Sequence, residues 1–125
     1  MNRMAYGRAM SDVTIYHNPA CGTSRNTLAL LREKGVEPKV IEYVQAGWTR
    51  EQLEGLLAKM DATAHQILRV NGTNAVALGL TDPHASDEAL IAAMIIEPIL
   101  VNRPIVVTPK GAALCRPAEL VLGLI

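Results

Sequence analysis

The first regular pattern in the chain is a short run of β-branched and aromatic residues followed by an amphipathic stretch. Residues 13–16, Val-Thr-Ile-Tyr, predict a strand, and Pro19 ends it because the residue before a proline is kept out of the helical region. Leucines and alanines then recur at helical spacing over residues 22–34. The pattern predicts strand, loop and helix, with Cys21 where the helix starts.

A second strand is predicted over residues 40–44, Val-Ile-Glu-Tyr-Val, before the turn at Gly47. Strand, helix and strand at this spacing favour a parallel pair with a right-handed crossover. The loop that carries Cys21 then lies at the carboxyl edge of the sheet, where open α/β folds place ligands.

Three helices are expected in the middle of the chain. Residues 49–52 form a capping-box pattern that opens a helix, and residues 63–66 repeat it before a short helix that presents Arg69 near its end. Ser86 caps a third helix, which stops before Pro98. The middle of the chain is therefore helical.

The last part of the chain predicts strands again. Residues 99–101 and 105–107 are short apolar runs, and residues 111–115 follow a turn, which is typical of a β-hairpin. Pro117 at a first helical position favours a last helix. The element order is β-α-β, three helices, then β-β-α.

The length and composition fit one globular domain, since 125 residues of which half are apolar can bury a sizeable core. We expect a single domain over residues 11–125. Residues 1–10, with methionines at positions 1, 4 and 10, are expected to be a disordered or weakly docked extension.

Charge and cysteine content narrow the classes of partner. The 12 basic and 12 acidic side chains cancel, which gives no reason to expect nucleic acid or an anionic membrane as partner. No run approaches the roughly 18 apolar residues of a membrane span, and residues 1–10 lack the apolar block of a secretory signal. Two cysteines suit a reducing compartment, so a cytoplasmic protein is expected.

Cys21 is the candidate for chemistry, because the free N–H groups at a helix start lower the pKa of a thiol and favour the nucleophilic thiolate. The amides of Gly22, Thr23 and Ser24 form a donor set able to hold an oxyanion, and Gly22 permits close approach of a ligand. Ser24 stands where a C-x-x-C redox motif has its second cysteine. Its hydroxyl can hydrogen-bond the thiolate but cannot resolve a disulfide, so an external thiol must supply the electrons.

For several candidate residues the sequence allows both a functional and a structural interpretation. His17 is either an imidazolium or proton donor that assists the thiolate, or a histidine packed at a strand end. Cys21 itself has the alternative of a small buried hydrophobe. Cys115 is interpreted as a strand cysteine packed inward in preference to a resolving thiol. His65 and His84 have no spacing that suggests zinc, so no metal is expected.

Four motifs stand in register along the chain. They are Ile15-Tyr16-His17-Asn18-Pro19-Ala20-Cys21-Gly22-Thr23-Ser24-Arg25, Ile67-Leu68-Arg69, Ile99-Leu100-Val101-Asn102-Arg103-Pro104-Ile105-Val106-Val107 and Leu114-Cys115-Arg116-Pro117. Together they resemble a known family, the glutaredoxin-linked arsenate reductases of the thioredoxin superfamily, over residues 13–125. The resemblance implies a thioredoxin-like α/β fold with a mixed four-stranded sheet and a helical insertion between the second and third strands.

The resemblance implies that Cys21 attacks arsenic and that Arg69, Arg103 and Arg116 hold arsenate and its covalent adduct. Guanidinium groups suit that task, because they stay charged and present paired donors to a tetrahedral oxyanion. Without the resemblance, each arginine is more simply a solvated surface residue. Pro104 is implied to be the cis-proline opposite the active cysteine.

By the same resemblance, arsenate bound to Cys21 reacts with glutathione as co-substrate, glutaredoxin takes up the glutathione, and arsenite leaves, with no bound cofactor. Val70 departs from relatives that often carry a basic residue after Arg69. One alternative is a monothiol glutaredoxin-like reductase of glutathione mixed disulfides. Another is a non-catalytic regulator that binds RNA polymerase, which Ser24 disfavours because such regulators usually keep both cysteines.

Overall fold

The computed structural model describes residues 12–125. The expected extension, residues 1–10, lies outside the described residues. The described chain forms two compact units, one of residues 12–42 with Arg103–Ile125 and one of Tyr43–Asn102. Among residues 12–125, no helix combines the length and apolar character that crossing a bilayer requires.

The first unit is a four-stranded sheet with helical segments. The elements are β1 (Thr14–His17), α1 (Gly22–Glu33), β2 (Lys39–Glu42), β3 (Ile105–Thr108), β4 (Gly111–Leu114) and a 3₁₀ helix (Ala118–Leu124). The strand order is β2-β1-β3-β4, with β1 parallel to β2 and the other pairs antiparallel. The predicted parallel pair and hairpin are thereby confirmed.

The core of this unit forms because side chains alternate between the two faces of a strand. In β1, Ile15 and His17 are buried, whereas the alternate residues Thr14 and Tyr16 are only half-buried. Cys115 is fully buried, in agreement with inward packing. The buried cluster consists of Val13, Ile15, Leu31, Val106, Cys115 and Val121.

The second unit contains the helical insertion. Its α-helices are α2 (Tyr43–Ala46), α3 (Arg50–Met60) and α4 (Asp87–Ile96), and its 3₁₀ helices are Ala64–Ile67 and Pro98–Leu100. The predicted caps are confirmed at the starts of α3 and α4. The Gln52 amide N–H donates to the Thr49 hydroxyl over 3.1 Å, and the Ala89 N–H donates to the Ser86 hydroxyl over 3.1 Å.

The predicted strand over residues 40–44 is wrong at its end, because β2 stops at Glu42 and Tyr43 starts α2. The reason lies within the second unit. The Tyr43 hydroxyl donates to the carbonyl of Val101 over 2.7 Å, and its ring lies 5.1 Å from that of Trp48. Burial of the whole side chain in these contacts outweighs the strand preference of tyrosine.

Two predictions near the C-terminus also need correction. Residues 99–101 do not form a strand, because Pro98 fixes a helical φ and opens a 3₁₀ turn, leaving Val101 with a single bridge to Leu68. The last helix is a 3₁₀ helix, and Pro117 caps it in an extended conformation instead of taking its first position.

Candidate active site

A tight turn delivers Cys21 from β1 to the start of α1. The Cys21 N–H donates to the Asn18 carbonyl over 3.0 Å, and the Asn18 side-chain oxygen accepts from the Ala20 N–H over 3.0 Å. Cys21 has extended dihedral angles, and its carbonyl accepts the first helical hydrogen bond, from the Arg25 N–H. The cysteine is therefore the N-cap residue of α1, as the sequence predicts.

The surroundings of Cys21 favour the thiolate. Burial raises the pKa of its thiol, since only 7% of the residue is exposed, but the groups around the sulfur outweigh burial. The Ser24 N–H, the Arg116 side chain, the charge of Arg103 and the Thr23 N–H lower the pKa, so that it falls below its ordinary value. The site thus supports a nucleophilic sulfur.

Two arginines from the C-terminal motifs act on the Cys21 sulfur, Arg116 by direct contact and Arg103 through its charge. The Arg116 Nη1 atom is 3.6 Å from the Cys21 sulfur and also donates to the Arg103 carbonyl over 2.9 Å. The Arg103–Pro104 peptide bond is cis, as the resemblance implies, and the Arg116–Pro117 bond is cis as well. The structure therefore places the Arg116 guanidinium against the Cys21 sulfur and the charge of Arg103 near enough to act on it.

His17 and Ser24 form a buried pair at this loop. The His17 Nδ1 atom lies 2.7 Å from the Ser24 hydroxyl oxygen, which also accepts from the Asn18 N–H over 3.0 Å. Burial lowers the pKa of His17. The expected contact of the Ser24 hydroxyl with the thiolate is thus replaced by bonds to His17 and Asn18, and the Ser24 backbone N–H acts on the sulfur.

Arg25 is a site residue that the sequence argument missed. Its Nη1 atom donates to the Pro19 carbonyl over 2.8 Å, which ties α1 to the loop before Cys21. A Cβ atom placed on Gly22 would meet the Arg25 Nη2 atom at 3.7 Å, an ordinary contact. The available signal was the position of Arg25 at the end of the Cys21 motif.

Arg69 belongs to the second unit, where hydrogen bonds hold both its backbone and its side chain. Its N–H donates to the Leu100 carbonyl over 2.8 Å, and its Nε atom donates to the Asn71 carbonyl over 2.9 Å. The guanidinium lies beside Gly72, whose positive φ of 75° and missing Cβ leave it room, since an added Cβ would lie 3.3 Å from Nη2. The turn after Arg69 is thus shaped around its side chain.

A sequence model described as the ArsC family matches residues 16–124. The chain belongs to the ArsC family. That match contains Cys21 and the two arginines that act on its sulfur, Arg103 and Arg116, and it also contains Arg69 of the second unit.

Two proteins with sequences similar to this chain are named arsenate reductases. The chain is 54% identical to an arsenate reductase of Rhizobium meliloti (strain 1021) over 113 residues, 90% of this chain and 81% of that protein. It is 50% identical to an arsenate reductase of Escherichia coli (strain K12) over 116 residues, 93% of this chain and 82% of that protein.

A solved ArsC-type structure has the same fold. The arsenate reductase from Vibrio cholerae aligns with a TM-score of 0.87 at 39% identity, covering 93% of this chain and 99% of that one. The thioredoxin-like fold class expected from the sequence is thereby confirmed. Within residues 12–125, no group of three or more His, Cys, Asp or Glu side chains is placed to hold a metal ion.

Proposed function

We propose that this ArsC-family protein is a cytoplasmic enzyme of arsenic detoxification that reduces arsenate to arsenite, with glutathione and glutaredoxin as electron donors. The observation that carries the proposal is the Arg116 guanidinium 3.6 Å from the sulfur of Cys21. A nucleophilic sulfur beside a fixed positive charge suits an oxyanion substrate, because the charge attracts the anion and neutralises it during attack. The relatives named arsenate reductase support arsenate as that oxyanion.

In the first step the Cys21 thiolate attacks arsenic and an arsenate oxygen leaves as water after protonation. The product is an arsenic(V) atom bound to the Cys21 sulfur. The N–H groups of Thr23 and Ser24, which already favour the thiolate, support this step, as do Arg103 and Arg116. Arg69 is assigned to the arsenate oxygens because it stands in a motif shared with the family.

The reducing electrons come from two external thiols. Glutathione forms a second sulfur–arsenic bond with loss of another water, and the glutaredoxin thiolate then attacks the glutathione sulfur. The electron pair of that sulfur–arsenic bond passes to arsenic, which becomes arsenic(III), and the mixed disulfide leaves. Water releases arsenite and restores the Cys21 thiol, so two thiols are oxidised for one arsenate reduced.

An internal disulfide is a poor substitute for these donors. Ser24 has no thiol to offer, and Cys115 is fully buried in the core of the first unit. Burial raises the pKa of the Cys115 thiol to about 11, which keeps it protonated and a weak nucleophile at neutral pH.

Arsenate-dependent oxidation of NADPH, coupled through glutathione reductase, glutathione and glutaredoxin, tests the proposal. Turnover is expected for the wild type, loss of it for Cys21→Ser, and near-complete retention for Cys115→Ala, which removes the other thiol without burying a hydroxyl. Absence of turnover, with coupling enzymes that still reduce a glutathione mixed disulfide, would overturn the proposed reaction. Equal turnover with thioredoxin and its reductase in place of glutaredoxin would overturn the proposed donor.

A further inference from the structure

The pair of His17 and Ser24 is buried beside the reactive loop, and its proton positions follow from counting donors and acceptors. A serine hydroxyl has one proton and accepts at two lone pairs. One lone pair of Ser24 accepts the Asn18 N–H at 3.0 Å. The His17 Nδ1 atom, at 2.7 Å, is the partner of either the hydroxyl proton or the second lone pair.

We propose that Ser24 donates its hydroxyl proton to Nδ1 of His17, which keeps His17 as the neutral tautomer protonated on Nε2, and that this pair is a positioning device that aims the Thr23 and Ser24 amides at Cys21. In the opposite arrangement, an Nδ1–H would donate to Ser24. The hydroxyl proton would then need a third partner, although Ser24 is fully buried.

The charges around His17 agree with a neutral ring. Burial is the strongest influence on its pKa and disfavours the imidazolium. Glu42, its register partner on β2, favours the charged form, whereas Arg32 and Arg25 on α1 oppose it. The net effect lowers the pKa of His17, so the ring is neutral at physiological pH.

The pair acts on Cys21 through the backbone. Ser24 lies in the first turn of α1, and its hydroxyl holds His17 and Asn18 at the end of β1. These bonds join the start of α1 to the end of β1 across the Cys21 loop. They thereby fix the direction of the Ser24 N–H, which lowers the pKa of the Cys21 thiol. His17 and Ser24 are therefore positioning residues, an inference that rests on the proposed role of Cys21 as nucleophile.

Three variants in a Cys115→Ala background separate positioning from charge, with the Cys21 pKa read from the pH dependence of alkylation. His17→Ala and Ser24→Ala should raise that pKa by about half a unit to one unit. His17→Asn offers an uncharged acceptor near the position of Nδ1 and should recover most of the loss. If His17→Asn raises the pKa as much as His17→Ala, the imidazolium charge is what matters and the proposal is wrong.

The tautomer is tested directly by long-range ¹⁵N–¹H spectra of the imidazole in the wild-type protein. An unprotonated Nδ1 and a protonated Nε2 are expected at about pH 7 to 8, above the ordinary pKa of histidine. A protonated Nδ1 in that range would overturn the proposal. Ser86→Ala is the matched control, since it removes a serine hydroxyl from a helix start in the second unit and should leave the Cys21 pKa unchanged. None of these measurements uses arsenate, so failure of the proposed function would be seen separately, in the coupled assay.

Discussion

The Nη1 atom of Arg116 lies 3.6 Å from the sulfur of Cys21, although 95 positions separate the two residues. Strand register explains the contact. Ile105, at the start of β3, pairs with Tyr16 near the end of β1 and with Leu114 at the end of β4. The chain just after β4 therefore meets the loop just after β1 at one edge of the sheet.

Replacement of Arg116 by alanine should lower kcat/KM for arsenate by about tenfold to a hundredfold, since hydrogen bonds to charged groups contribute about 1.5–3 kcal/mol. Arg116→Lys should recover only part of the loss, because lysine keeps the charge but lacks the rigid guanidinium that holds Nη1 against both Cys21 and the Arg103 carbonyl. The coupled NADPH assay measures both variants.

The matched control for Arg116 is Arg50→Ala. Arg50 belongs to the second unit and forms surface ion pairs with Glu54 and Glu88, and such pairs contribute little to stability. Its replacement should change kcat/KM by less than about twofold. A similar loss in the Arg50 and Arg116 variants would show that the effect of Arg116 is not specific to the sulfur.

The thiol of Cys21 should be alkylated with a pH midpoint below the roughly 8.5 of a free cysteine. Burial raises its pKa, but the Ser24 N–H, Arg116, Arg103 and the Thr23 N–H lower it to a greater extent. The rate of iodoacetamide alkylation in Cys115→Ala measures the midpoint. A midpoint at or above 8.5 would contradict the electrostatic account of the site.

The same pKa shift predicts a pH dependence of folding. A folded-state pKa below the unfolded value stabilises the fold above the unfolded pKa, and this stabilisation is lost as the pH falls through the folded pKa. The free energy of unfolding of the wild type minus that of Cys21→Ser should therefore increase from about pH 6 to pH 9. Urea titrations across this range measure the difference, and a flat difference would contradict the prediction.

The position of Cys21 was predictable because every signal for it is local. Pro19 ends the strand, helical spacing begins at Gly22, and the turn between them spans a few residues. The partner of the Ser24 hydroxyl was not predictable in this way. His17 is seven positions away from Ser24. The serine side chain is short, and the geometry of the closed loop decides which of several nearby groups its hydroxyl can bond.

The difference between local signals and long-range contacts also explains the errors in the predicted fold. Tyrosine favours strands, so the sequence places Tyr43 in β2. Its hydrogen bond to the Val101 carbonyl, 58 positions away, explains why Tyr43 belongs to α2 instead. Arg69 is a related case, because a motif can identify the residue but not the direction of its long side chain. Its contact with the Asn71 carbonyl depends on the turn at Gly72.

Tyr43→Phe should lower the free energy of unfolding by about 1–2 kcal/mol, because the Val101 carbonyl would lose its 2.7 Å partner in a fully buried site. The phenyl ring keeps the contact with Trp48, so the loss isolates the hydroxyl. Urea unfolding followed by circular dichroism measures it. A change below about 0.3 kcal/mol would mean that water replaces the tyrosine hydroxyl.

Thr49→Ala should destabilise the protein by about 1 kcal/mol, because the Thr49 hydroxyl accepts from the Gln52 N–H at the start of α3. The Gln52 side-chain oxygen in turn accepts a hydrogen bond from the Thr49 N–H over 2.9 Å. The same urea titration applies. Thr81→Ala, at an exposed turn position, is the matched control and should change stability by less than about 0.5 kcal/mol.

High pH should destabilise the protein through Cys115. Its folded-state pKa of about 11 exceeds the unfolded value, because burial in the core disfavours the thiolate. A raised pKa contributes stability that is fully present below the unfolded pKa and is lost as the pH rises to the folded value. Between about pH 8.5 and 11 the wild type should lose about 2–3 kcal/mol more than Cys115→Ala, which has no thiol to ionise.

Urea unfolding of both proteins at matched pH values provides the measurement, and the difference between them removes the titration of lysines and tyrosines that the two share. Parallel pH profiles would mean that the Cys115 thiol ionises as readily in the core as in the unfolded chain. Its side chain would then have to reach water, which is incompatible with its complete burial beside Ile15 and Val106.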